Sequence, residues 1–348
     1  MIKFEAIRIL ILFAMGFIVA LLTTPFVVRI LAKLNIKKTN IRDEKTAPIF
    51  HQFHKKKADT PTMGGVIIWG TVIGLAFIFF ILKNVFGGFA NYFNFVNRAE
   101  TYLPLFSLLF AAIVGLIDDI FGIMGKGPHG GGLSVKQKLG LYTLLAALGA
   151  WWFYFRLDWD ILYVPFYGNV AMGWWYIPFF MFVLIATAFS TNETDGLDGL
   201  AGGTLFFAFG ALAIISFASG HFDLAAMNAV ILGALLAFLW FNIYPARFFM
   251  GDTGSMSLGI TLGVMVMLTN TALFLPFFSS IMIFESVTVI IQLLSKKFRK
   301  KKVFLSTPIH HHFEALGWPE SQITMRFWII TIVTTTIGLA LYFLARYL

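Results

Sequence analysis

Five aspartates are the residues of this chain best suited to chemistry. Asp118 and Asp119 are adjacent in GLIDDIFG, Asp195 and Asp198 lie in TNETDGLDGLAGG, and Asp252 follows FNIYPARFFMG. Two neighbouring carboxylates repel, and a helix cap would need only one. Adjacent acids joined by a third from another segment suit a hard divalent cation. Mg²⁺ takes one or two protein carboxylates, keeps several waters and otherwise binds substrate phosphates. Gly196, Gly199, Gly251 and Gly254 flank the later aspartates and let backbone N–H groups approach phosphate oxygens closely. Asp198, beside Gly199, is equally placed to cap the next helix. No Walker A motif occurs.

Most of the other candidates are basic. PIHHHFE holds His310, His311, His312 and Glu314. Three consecutive residues cannot all face one metal from a regular element, so one or two phosphate-facing histidines are expected. Lys57 stands three residues before the turn TPTMGG, which favours a site role; Lys55 and Lys56 read as a patch for anionic lipid. The run KKFRKKK at 296–302 reads as a topology determinant. Glu285 falls within an apolar stretch, where a charge is functional by default, with Gln292 as a possible partner. There is no cysteine, which excludes disulfides, thiolate nucleophiles and Cys-ligated metals.

The elements that position these residues follow from composition. Of 348 residues, 59% are hydrophobic and 12% charged, with a mean hydropathy of +0.82. Soluble domains carry roughly 45–50% apolar and about 25% charged residues, so a soluble enzyme, a secreted disulfide scaffold and a disordered chain are excluded. Apolar stretches at about 9–31, 63–82, 102–117, 139–155, 174–190, 203–219, 224–241, 257–270, 273–294 and 326–345 predict about ten transmembrane helices, each needing about 20 residues. The first is read as a retained helix, since no A-x-A-like cleavage site follows it. The connections that would face inward carry 20 of the 26 Lys and Arg residues, which places both termini on the non-cytoplasmic side. That asymmetry explains the net charge of +9 better than a nucleic-acid partner. On the outer rim, 158–173 with Trp159, Tyr163 and Tyr167 reads as interfacial anchors and a short hairpin.

The expectation is an all-α polytopic membrane protein, one integral membrane domain over 1–348, with its active site at the cytoplasmic face. Phosphoryl transfer at such a face, without a P-loop, implies a soluble phosphate donor and a lipid acceptor. An ion-coupled secondary transporter also shows intramembrane acids and Gly-interrupted helices, but it would place the acids near the midplane in two related halves. No repeat is present, and the aspartates fall at cytoplasmic ends.

TPTMGG, IDDIFG, NETDGLDGLAGG, FNIYPARFFMGDTGS and PIHHHFEALGW occur in this order from about residue 50 to residue 326. In these strings the chain resembles the phospho-N-acetylmuramoyl-pentapeptide transferases, a branch of the polyprenyl-phosphate N-acetylhexosamine-1-phosphate transferases. The resemblance implies ten transmembrane helices in a bacterial inner membrane protein, usually a homodimer. It implies a Mg²⁺-dependent site that joins UDP-MurNAc-pentapeptide to undecaprenyl phosphate, giving lipid I and UMP. Residue by residue, it implies catalytic roles for Asp118, Asp119, Asp252 and His311. It implies Mg²⁺ on Asp252 with help from Asp119 or Asp195, and substrate contacts from Lys57, Thr62, Lys138, Asn192, Asp195, Asp198, Phe249, His310 and His312. Asp59 stands where the family usually has Gly, and Ala188-Phe189-Ser190-Thr191-Asn192-Glu193 where it often has S-N-A-V-N-L. A sister transferase using UDP-GlcNAc is the nearest alternative reading.

Overall fold

A computed structural model describes residues 2–34, 36, 60–86, 88–97, 99–127 and 131–347. Helices dominate: α1 (Ile2–Lys33), α2 (Gly65–Phe86), the short α3 (Gly88–Phe93), α4 (Ala99–Ile123) and α5 (Val135–Trp151). A two-stranded antiparallel hairpin follows, β1 (Ile161–Val164) on β2 (Gly168–Ala171). Then come α6 (Tyr176–Thr194), α7 (Leu200–Ala218), α8 (Phe222–Asn242), α9 (Asp252–Leu268), α10 (Leu275–Phe278), α11 (Ser280–Arg299), α12 (Ile309–Ala315) and α13 (Glu320–Tyr347). The hairpin lies where the aromatic rim was expected, pinned by the Tyr163 N–H donating to Asn270 Oδ1 at 2.9 Å and by the Tyr163 hydroxyl donating to the Ala345 carbonyl.

The chain is a polytopic α-helical membrane protein. Seven of the described helices are long and apolar enough to cross a bilayer, and eight if the bent pair around α10 and α11 counts as one crossing. Expected straight spans depart from this in two ways. Helices α5 and α9 have 17 residues each, about 26 Å at 1.5 Å per residue and a little short of the hydrocarbon core. The stretch at 273–294 breaks near Ser279 and turns by 90°. Beyond that turn α11 is two-faced. Met282, Glu285, Ser286 and Gln292 are buried, while Phe284, Ile290, Leu294 and Phe298 are exposed.

Burial sets the layers. Helix α8 is central, with 83% of its apolar window buried, and α9 is buried over nearly its whole length. Helices α1 and α13 are peripheral and expose Leu22, Phe26, Ile329 and Val333 to the lipid side. At the end of the bundle that holds the hairpin, Arg8 of α1 is buried. It donates to Glu5 at 3.0 Å, Asp223 of α8 at 2.7 Å and the Asn94 carbonyl at 3.0 Å. A desolvated guanidinium needs such partners, and here they fasten α1 to α8.

Candidate active site

The other end of the bundle gathers the aspartates. It is built where α4 and α9 cross at Gly115: a Cβ there would overlap the Asp252 carbonyl. Only glycine permits this approach, which brings the C-terminal third of α4 against the first turn of α9. Residues 61–65 then run beside 249–250. The Phe249 N–H donates to the Pro61 carbonyl, and those of Gly64 and Gly65 to the Phe249 and Met250 carbonyls, all at 2.8 Å. Helix α5 starts at a capping box of Ser134 and Gln137, which fixes the turn that presents Lys138.

Lys138 is the hub. Its ammonium lies 2.6 Å from Asp118 Oδ2 and 2.8 Å from Asp252 Oδ2. Asp118 is 2% exposed, and its Oδ1 accepts the N–H of Leu133. The Asn192 amide donates to Asp252 Oδ1 and, at 3.1 Å, to Ser255. Two carboxylates from different helices thus converge on one positive centre. The exposed edge belongs to Lys138 and Asp252, with side-chain exposures of 19% and 24%.

Asp119 and Asp195 take a different place. Asp119 accepts the N–H groups of Asp252 and Thr253 at 3.1 and 2.9 Å, capping α9 from outside its own sequence. Asp195 accepts the Gly251 N–H at 3.2 Å. Thr62 is buried next to Gly251. Asp198 does not cap α7, whose N-cap is Gly199 in the left-handed region at φ 76°. Its carboxylate accepts the Ala246 N–H at 2.9 Å, and its own N–H donates to Glu320 of α13 at 2.6 Å.

The histidines divide. Glu285 Oε2 lies 3.0 Å from His310 Nδ1, close enough for an ion pair though without hydrogen-bond alignment, and 3.3 Å from the His310 N–H. The His310 ring packs on Gly196, where a Cβ would overlap Nε2. Burial works against the charged imidazolium, but the Glu285 carboxylate outweighs it and holds His310 above its usual 6.5, with Glu314 and Glu193 adding to the effect. His311 lies in ring contact with His310 and 2.6 Å from Glu314. His312 instead accepts the Leu305 N–H at 3.2 Å and helps hold residues 304–305. Gln292 is not the partner of Glu285; it binds the backbone of Val303 and Phe304.

The structure therefore brings together Asp118, Asp119, Lys138, Asn192, Asp195, Thr62 and Asp252. Phe249 joins them through its backbone, and His310 and His311 border them through Gly196. Lys57 lies outside the described residues. The expected ligands are Asp252 with help from Asp119 or Asp195, and among the described residues no group of three or more His, Asp or Glu side chains is arranged to hold a metal. The physical reason is visible: Asp119 and Asp195 turn to backbone N–H groups, while Asp252 turns to Lys138. Asp252, a hard oxygen donor drawn to a cation, does fit a divalent ion. Ser255, Asn242 and Glu320 were not singled out in the sequence. Each is a lone polar residue whose partner lies in another element: Asn242 accepts the Gly199 N–H and donates to the Phe248 carbonyl.

A helical membrane bundle that gathers paired carboxylates and a lysine at one end is suited to phosphoryl transfer at a membrane face. The model of Glycosyl transferase family 4 matches residues 101–270, which contain every aspartate of the site, and residues 57–68 match signature 1 of the phospho-N-acetylmuramoyl-pentapeptide-transferases. The chain is 38% identical over 329 residues to the phospho-N-acetylmuramoyl-pentapeptide-transferase of Clostridium novyi (strain NT), covering 93% of each chain. It is 35% identical to that of Bartonella quintana (strain Toulouse), over 93% of this chain and 92% of the relative, and 37% identical to that of Clostridium perfringens (strain 13 / Type A), over 96% and 98%. The chain belongs to the phospho-N-acetylmuramoyl-pentapeptide-transferase family, as a multi-pass enzyme of the bacterial inner membrane.

Proposed function

We propose that this chain transfers phospho-MurNAc-pentapeptide from UDP-MurNAc-pentapeptide to undecaprenyl phosphate, releasing UMP and forming lipid I for peptidoglycan. The observation that carries the reading is the Lys138 ammonium held between Asp118 and Asp252, a charged cradle at the end of an apolar bundle. A C55 lipid stays in the bilayer and a nucleotide stays out of it, so their reaction belongs at such a boundary. Membership of the family supports the same substrates.

In this mechanism Lys138 turns its ammonium to an incoming phosphate, leaving Asp118 as the basic partner. Asp118 orients the lipid phosphate and takes its proton. A lipid-phosphate oxygen bonds to the sugar-bearing phosphorus, and the bond to UMP breaks. Asn192 and the capped turn at 251–253 hold Asp252 in register. Asp252, with help from Asp119 or Asp195, would hold Mg²⁺, which when bound would neutralise charge developing on the pyrophosphate. Asp119 and Asp195 serve that position through the backbone of 251–253. His310 and His311 line the donor side, with Phe249 toward the uracil ring, Thr62 beside Gly251, and Lys57 complementing the phosphates. His312 and Asp198 act through the loops they brace. The finer architecture belongs to the same proposal: one domain over 1–348, ten crossings counting α5, α9 and the bent pair, both termini outside, the site at the cytoplasmic face, and a homodimer.

The test is UMP release in detergent from UDP-MurNAc-pentapeptide plus undecaprenyl phosphate, with UDP-GlcNAc offered in parallel. Release with the first donor alone is expected, together with its loss in Asp118→Asn and Asp252→Asn. Release with UDP-GlcNAc instead would assign the chain to the sister reaction. A phosphorylated enzyme trapped with donor alone would replace direct attack by a two-step route.

A further inference from the structure

Tyr142 lies four residues beyond Lys138 on α5, on the same face of the helix. Its ring is 1% exposed and packs among Ala111 and Val114 of α4, Ala188 of α6 and Met256 of α9. These helices are the ones that deliver Asp118, Asn192 and Asp252. Its hydroxyl is fully buried and has no hydrogen-bond partner. A buried hydroxyl left unpaired is disfavoured, so an unpaired one in a close-packed core points to a bond made in another state of the site. Asp252, Lys138, Asp118 and Glu193 are the charged groups within electrostatic reach of it.

The donor count shows which state that is. Lys138 carries three N–H bonds and gives one to each carboxylate. When the ammonium turns to a substrate phosphate, a carboxylate oxygen at the floor of the site loses its donor. An uncompensated charge at that depth is costly, and the tyrosine O–H is a buried, unpaired donor one helical turn from Lys138. We propose that Tyr142 is a positioning residue of this site, whose hydroxyl donates to the Asp118–Asp252 carboxylate pair as Lys138 releases it. The inference rests on the transferase reading above for the motion of Lys138, but its local chemistry concerns only this chain.

The experiment uses the full-length protein in detergent. Tyr142→Phe keeps the ring and should hold Tm within a degree or two, while kcat for UMP release falls about tenfold at unchanged KM, the scale of one hydrogen bond to a charged group. In a second arm, 3-fluorotyrosine at position 142 reports on the hydroxyl through its ¹⁹F resonance. UDP-MurNAc-pentapeptide should shift that resonance, and Lys138→Met should shift it the same way with no substrate present. Wild-type kcat in Tyr142→Phe, or a resonance indifferent to Lys138→Met, overturns the proposal. A loss of kcat matched by an equal loss of Tm, with a static resonance, also overturns it, by making the role purely structural. Because the Lys138→Met arm needs no substrate, a wrong donor would sink the transferase reading and leave this arm able to decide the inference.

Discussion

Asp119 Oδ2 accepts the backbone N–H of Thr253 at 2.9 Å, so the second aspartate of the adjacent pair closes the open end of a helix 134 residues away in sequence. Its neighbour Asp118 faces Lys138 instead. Two like charges tolerate adjacency here because successive positions on a helix point about 100° apart, each toward a separate donor.

Asp119→Ala removes the cap of α9 and should cost about 0.5–2 kcal/mol, seen as a lower Tm in detergent. Asp252 begins that helix, so the same change should lower UMP release by about 100-fold, the scale of a small misplacement. A variant with wild-type turnover would separate the cap from the chemistry.

Lys138→Met leaves Asp118 and Asp252 facing each other without their shared cation. Breaking a buried charge cluster by removing one partner costs about 3–5 kcal/mol, the upper part of which is softened here by partial exposure of Lys138 and Asp252. The expected outcome is a folded but less stable protein, by thermal melting, that releases no measurable UMP.

The His310–Glu285 pair makes stability depend on pH. His310 titrates above 6.5 in the folded protein. The stabilisation is therefore complete below 6.5, shrinks as pH rises toward the folded value, and is gone above it. Melting temperatures from pH 6 to 9 should show this decline in the wild type and a flatter profile in Glu285→Gln. Equal slopes in both would place the titration elsewhere.

Gly196→Ala drives a methyl into His310 Nε2. Overpacking of this kind costs about 1–3 kcal/mol, and the ring must move away from the Asp195 turn to relieve it. Activity should fall further than in Glu285→Gln, measured as UMP release at matched folded fraction.

Arg8→Ala is the contrasting case. It strands Glu5 and Asp223 at the far end of the bundle, away from every aspartate of the site. Thermal stability should fall by a few kcal/mol while the KM of the surviving enzyme stays unchanged.

Much of this protein was open to reading along the chain. Apolar composition demands a membrane bundle, because about 20 consecutive apolar residues are stable in lipid only as a helix. Acids spared in such a chain must act or pair, which singled out Asp118, Asp119, Asp195, Asp198, Asp252 and Glu285 without coordinates. What each acid faces came only with the fold. Asp119 and Asp195 hold backbone amides, Asp198 ties Ala246 to Glu320, and Lys138, rather than a third acid, joins Asp118 to Asp252. The 90° turn near Ser279 and the orphan hydroxyl of Tyr142 were equally invisible. Hydropathy and spacing are properties of one segment at a time. A partner is chosen where two segments cross, and that is set by which glycines let backbones meet, as Gly115 does against Asp252.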